Sequence, residues 1–108
     1  MYEKIKGNEQ IGWYFMFKCN TYFEGNVVSI AFNGSDGEAA VGVMAPGEYE
    51  FGTSKLEHMK IISGSMQVKL PREGTYKKYG KDDIFVVDAN LKFRLIVDVE
   101  TAYLCRYK

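Results

Sequence analysis

Apolar and polar residues alternate through most of the chain, in short runs that stop at turn residues. Asn26–Phe32 (NVVSIAF) ends at the loop NGSDG, and Glu38–Met44 (EAAVGVM) ends at Pro46-Gly47. GEYEFGT (47–53) follows, and EHMKIIS (57–63) stops at Gly64-Ser65. MQVKL (66–70) gives way to PREG, TYKKY (75–79) to GKDD, and IFVV (84–87) to DAN. LKFRLIV (91–97) and TAYLCRYK (101–108) complete the series. A period of two marks a strand with one buried and one exposed face. Beyond residue 20 no stretch of useful length keeps the helical period. Many short strands at roughly ten-residue spacing predict one all-β domain, a sandwich or a small barrel.

Parity sorts the faces. Tyr49, Phe51 and Thr53 share one side of their strand, and Glu48, Glu50 and Gly52 share the other. The first set is mostly aromatic and is expected to point inward. Glu57, Met59 and Ile61 continue an inward row on the next strand. A carboxylate in such a row is the informative oddity, because a buried charge is costly unless it is paired or used. A wet position at the strand mouth is the plain alternative. On the last strand Tyr103, Cys105 and Tyr107 share one face, while Leu104 and Arg106 share the other. The first twenty residues show neither a strand partner nor turn logic, and read as a short helix or an arm.

Composition narrows the picture. Eight Tyr, seven Phe and eleven Gly against two Pro suit a β-rich chain of 108 residues with one modest core. Fourteen basic residues balance fourteen acidic ones, and no basic run is interleaved with aromatics, so no nucleic acid or membrane surface is expected as a partner. The early apolar run Ile11–Phe17 is too short to span a bilayer and has no small-residue cleavage site after it. Two cysteines, Cys19 and Cys105, make no disulfide framework. The expectation is a cytoplasmic protein with reduced thiols, Cys105 being a small buried hydrophobe.

The stretch GEYEFGTSKLEHMKIISG (47–64) is similar to the first motif of cupin barrels, in which a Glu stands after a pair of metal-binding histidines and a Gly closes the strand. The two histidine positions here read Phe51 and Thr53. The matching second motif carries Asp82, Asp88, Asn90 and Phe93 where Gly, Pro, Gly and His are usual. The four ligand-equivalent positions are therefore Phe51, Thr53, Glu57 and Phe93, which leaves one ligand where a catalytic metal wants about three. No metal is expected. His58 neighbours Glu57 and so faces the other way, toward solvent.

NTYFEGNVVSIAF (20–32), AVGVMAPGEYEFGT (40–53), EHMKIISG (57–64) and TAYLCRYK (101–108) together resemble the pyrimidine/purine nucleoside phosphorylase family of small cupin proteins. The most specific pieces are Gly47–Phe51, Ile62–Gly64 and Tyr103–Tyr107. Met16 falls where family members begin. It is expected to be the natural start, with residues 16–108 the cupin-like domain of jelly-roll type and residues 1–15 an extension read from a mis-called start.

The resemblance implies phosphorolysis of purine and pyrimidine nucleosides to free base and α-D-ribose 1-phosphate. Phosphate is the co-substrate, no cofactor is called for, and the protein is a homodimer. Onto that reaction the residues map as follows. Phe51, Phe93 and Tyr49 offer faces on which any flat base stacks. Glu57 is the carboxylate that holds the ribose hydroxyls or offsets positive charge on the sugar. Arg106 is the candidate phosphate grip, because guanidinium presents a planar fork of donors. A surface arginine on the outward face is the plain alternative, and if its parity puts it outside its own barrel it would still serve a site at a dimer interface. Thr53 and Ser29 are small hydroxyl donors, and Tyr103 is a donor to base or phosphate. Each of these residues also has an ordinary structural use in a strand. A non-catalytic cupin that holds a sugar or nucleotide, and a metal-dependent cupin enzyme with unusual ligands, are the competing readings.

Overall fold

Every strand after the first falls on one of the alternating runs. The computed structural model describes residues 17–108. The expected extension over residues 1–15 lies outside the described residues. Ten strands follow in order: β1 (Lys18–Tyr22), β2 (Val27–Gly34), β3 (Gly37–Met44), β4 (Gly47–Gly52), β5 (Glu57–Ser63), β6 (Ser65–Lys69), β7 (Lys77–Gly80), β8 (Ile84–Val87), β9 (Lys92–Val97) and β10 (Thr101–Tyr107). All pairings are antiparallel.

The strands form two sheets, ordered β1-β2-β3-β10-β5-β8 and β4-β9-β6-β7. The inward faces meet in one core. Met44, Ile61, Met66, Leu95, Val27, Val68 and Val87 are its most completely buried large side chains. Burying each of them stabilises the fold by about 1.5–3 kcal/mol relative to exposure. Strand β10 lies at the centre of the larger sheet, between β3 and β5, which explains why the last strand carries so many inward aromatics.

Strand β1 departs from the sequence reading, which found no strand partner in the first twenty residues. Lys18–Tyr22 pairs with β2 from Lys18↔Ala31 to Tyr22↔Val27. Its side chains are mostly exposed on both faces, so it lacks the alternation that marks the other strands. An edge strand needs only one neighbour, and polar residues there discourage pairing with other chains.

The turns explain the departures in the second motif. Asp82 and Asn90 occupy the two glycine positions, and both adopt a left-handed backbone, at φ 72° and 64°. Asp and Asn tolerate this region better than most residues, so the glycine geometry survives without glycine. Gly64 itself has φ 93°, and a Cβ there would come 2.5 Å from Thr101 Oγ1. Thr101 is fully buried, with its hydroxyl within hydrogen-bond reach of the Ser65 and Val99 carbonyls and accepting from the Ser65 amide. Glycine is thus required where β5 turns into β6.

Candidate active site

The inward faces of β2, β3, β4, β5, β9 and β10 leave one open cavity. It holds about 560 Å³ of empty space, counting the part continuous with solvent. Ser29, Phe51, Glu57, Phe93 and Tyr103 all line it, so the structure brings together five of the eight residues singled out from sequence.

Phe51 and Phe93 are register partners on β4 and β9, and their rings lie 6.0 Å apart at 28° to one another. Cross-strand pairing on one face brings such rings together. Two further rings extend this wall. The chain after β1 makes a left-handed turn at Phe23 and Glu24, with φ 52° and 58°, before Gly25 at 90°. Non-glycine residues pay about 1–2 kcal/mol each for that conformation. The turn seats Phe23 against Tyr49 at 5.0 Å and Phe51 at 5.3 Å, and sets Tyr22 edge-on to Phe51 at 6.1 Å. Tyr22 is itself a lining residue that sequence reasoning missed, because β1 was not read as a strand.

The opposite wall is acidic and protic. Cys105 Sγ donates to Glu57 Oε1 at 3.5 Å. Burial pushes the Glu57 carboxyl above its ordinary range, and the thiol pulls it part of the way back. Burial, with the Glu57 charge added, raises the Cys105 thiol to about 12. Tyr103 is likewise pushed up to about 12, mainly by burial. Burial raises the Tyr107 phenol as well. Cys105 and Tyr107 line the cavity on the same face as Tyr103, as their parity requires. Sequence reasoning treated Cys105 as packing only. Nothing along the chain shows that Glu57 stands across from Tyr107 on the neighbouring strand.

Tyr103 reaches the cavity because its register partner is Gly42. A Cβ at Gly42 would come 2.5 Å from Tyr103 Oη and 2.7 Å from Cζ. The missing side chain is the space the phenol occupies.

Three of the sequence candidates stand elsewhere. Thr53 is a clamp: its Oγ1 donates to the Asp88 carbonyl at 2.6 Å and accepts from the Leu91 amide at 3.1 Å. Tyr49 donates its hydroxyl to the Ala45 carbonyl at 2.6 Å, and its ring backs Phe23. Arg106 lies on the outward face, with Nε 3.8 Å from Asp36 Oδ2 and Lys108 Nζ 3.5 Å from the same oxygen. These two cations hold the Asp36 carboxyl below its usual range. His58 also faces outward, as expected, but is half-buried rather than open to solvent. It shares a groove with Lys60, Leu104 and Arg106, and its Nδ1 is buried without a partner among the described residues.

The metal seat of a cupin does not fit an ion here. Two of its four positions are phenyl rings, and the third is a hydroxyl already bonded to backbone groups. The fourth is a single carboxyl held by a thiol. Among the described residues no three His, Cys, Asp or Glu side chains gather closely enough to bind a metal.

The two sheets and this refilled seat define a cupin-like β-barrel. A cupin superfamily protein from Desulfitobacterium hafniense shares the fold, with a TM-score of 0.61 at 16% identity over 73% of each chain. A crystal structure of a protein of unknown function from Vibrio parahaemolyticus aligns with a TM-score of 0.83 and 41% identity, covering 87% of this chain and all of that one. Residues 17–107 match the model of the pyrimidine/purine nucleoside phosphorylase family. A relative from Pseudomonas putida (strain W619) bearing that name is 56% identical over 93 residues, which is 86% of this chain and 99% of the relative. The chain belongs to the pyrimidine/purine nucleoside phosphorylase family.

Proposed function

We propose that this protein phosphorolyses purine and pyrimidine nucleosides to free base and α-D-ribose 1-phosphate, with broad selectivity for the base. The observation that carries this reading is the cavity itself, in which the stacked Phe51–Phe93 wall faces the Glu57 carboxyl. A ring wall grips any flat base through its π-face and reads little of its edge. Tyr103 and Ser29 supply donors for hydroxyls or for the base. Glu57 stands where the sugar gains positive charge, and an ionised carboxylate there stabilises an oxocarbenium-like transition state.

In the reaction a phosphate oxygen forms a bond to the anomeric carbon. The bond from that carbon to the base nitrogen breaks, and its electron pair leaves with the base. Hydrogenphosphate gives up the proton that the base nitrogen takes. The exchange balances with phosphate alone, so no further cofactor is needed.

We place the enzyme in the cytoplasm, where nucleosides and inorganic phosphate meet. Among the described residues no helix is long and apolar enough to cross a membrane. We further infer a homodimer formed through the outer face of the larger sheet. Val28 and Ile30 stand beside Val43 and Val41, with Ala102 and Leu104 on the next strand. Five strand spacings of about 4.8 Å and three outward rungs of about 7 Å give a face of roughly 25 by 15–20 Å. Two such faces approach the roughly 1,000 Å² that a specific pair buries. Light scattering is expected to report twice the chain mass, and Val43→Glu to halve it; a monomeric parent overturns the dimer.

Base release from uridine and adenosine, with and without phosphate, tests the function. Release only with phosphate supports it. Binding without release would instead identify a sugar- or nucleotide-holding cupin.

A further inference from the structure

Phosphate carries between one and two negative charges at neutral pH, and among the described residues the cavity wall offers it no cation. Its lining consists of phenols, a thiol, a carboxyl, one hydroxyl and apolar groups. Arg106 points to the far side of the sheet, so it cannot reach a sugar lying between Phe51 and Glu57.

Among the described residues, Lys55 brings an ammonium group near a ring of the cavity wall. Lys55 sits in the short loop between β4 and β5. Its Nζ lies 6.0 Å from the centroid of the Tyr107 ring, and Tyr107 lines the cavity. The loop is held at both ends. Thr53 fixes its start through Leu91, Asp88 and Asn90, and the Lys108 amide donates to the Leu56 carbonyl at its end. Lys55 Nζ bonds Glu38 Oε1 at 2.6 Å. Glu38 precedes Ala40 by two residues on β3 and shares its parity, and Ala40 lines the cavity, so the pair stands beside that wall.

From this geometry we infer that Lys55 is the phosphate-binding cation of the site and that Glu38 holds its place while the site is empty. The inference rests on the phosphorolysis reading and assigns its second substrate a binding residue. Both side chains are more than half exposed, so their mutual attraction is weak and easily exchanged. A phosphate dianion offers the ammonium more charge and more acceptor oxygens than one carboxylate does. Once it displaces Glu38, it sits on the rim beside Tyr107, on the side of the cavity where Glu57 stands. Without the ammonium, Glu38 and Glu57 would repel the same anion.

The test is phosphate dependence in Lys55→Gln and Glu38→Gln. Lys55→Gln is expected to raise the KM for phosphate about tenfold or more, as loss of a charge-assisted bond does, and to leave the KM for uridine within twofold. Glu38→Gln is expected to lower the phosphate KM a few-fold. An unchanged phosphate KM in Lys55→Gln, or a rise seen in Arg106→Gln instead, overturns the assignment. Line broadening of the ³¹P signal of inorganic phosphate supplies a readout independent of turnover. If the parent releases no base but broadens the signal in a Lys55-dependent way, the phosphate site stands and the reaction falls. If parent and Lys55→Gln broaden it equally, the site falls whatever the activity. Unchanged thermal melting shows that the exposed substitution has not disturbed the fold.

Discussion

Cys105 donates its thiol hydrogen to Glu57 across adjacent strands, at 3.5 Å. Neither group is ordinary. The carboxyl is buried enough to hold its proton more tightly than usual, and the thiol is held fully protonated, near 12. The pair couples the state of Glu57 to that of Cys105.

Glu57 sets a pH dependence with two readouts. In the proposed reaction its ionised form would stabilise the sugar cation, so kcat/KM is expected to rise with pH through a value above the ordinary Glu range near 4.5. Glu57→Gln is expected to abolish that limb and to lower kcat by about 10²-fold, the scale of a lost electrostatic stabiliser. Stability moves the opposite way. Between the ordinary and the raised value the folded chain holds more protons than the unfolded one, so stability falls as pH rises. Denaturant melts across that window should show the fall in the parent and its absence in Glu57→Gln.

Cys105 positions Glu57 and stabilises its charge. Cys105→Ala removes the donor that lowers the carboxyl, so the acid limb of kcat/KM is expected to move to higher pH while the nucleoside KM changes little. A purely structural cysteine would lower stability and leave the limb in place. Alkylation gives a second check. Iodoacetamide at neutral pH is expected to label exposed Cys19 and spare buried Cys105.

In the proposed reaction the ring wall would carry base affinity. Phe93→Ala and Phe51→Ala are each expected to raise the KM for uridine and adenosine by similar factors, about 5- to 150-fold. This follows from a stacking contribution of about 1–3 kcal/mol per base. A large loss for one base class alone would show edge recognition in place of stacking. Phe93 is nearly fully buried, so Phe93→Ala is also expected to cost about 3–5 kcal/mol of stability. Phe93→Leu keeps most of the bulk and separates the two effects.

Gly42 is expected to accept no side chain without moving Tyr103. Gly42→Ala places a methyl where the phenol lies, so it should lower stability by about 1–3 kcal/mol. Adding Tyr103→Phe removes Oη, the atom at 2.5 Å, and is expected to recover part of that loss. Thermal melts of the two single variants and the double variant measure the coupling. Strict additivity would show that the two residues do not compete for space.

Much of this was legible in the chain because a period of two is written locally. The runs from Val27 onward gave strands, and parity set Tyr103, Cys105 and Tyr107 on one face and Arg106 on the other, while Arg106, the expected phosphate grip, lies away from the cavity. Strand β1 was not legible, since an exposed edge strand carries no apolar row and owes its existence to β2. The contents of the site were partly legible. Phe51, Glu57 and Phe93 stand at recognisable motif positions. Thr53 stands at one too, yet its hydroxyl is engaged by backbone groups more than thirty residues away. The Lys55–Glu38 pair joins residues seventeen apart. The Cys105–Glu57 bond spans forty-eight. Contacts of that kind are products of register, which no local pattern states.

The claim most exposed to refutation is that rings and one acid, occupying a cupin's metal seat, turn nucleosides over with phosphate. Purified protein, stripped with chelator, should be given uridine with inorganic phosphate and, separately, uridine alone. Uracil and ribose 1-phosphate in equal amounts, formed only when phosphate is present, is the expected result. No uracil in either tube, or uracil formed equally without phosphate, would contradict it.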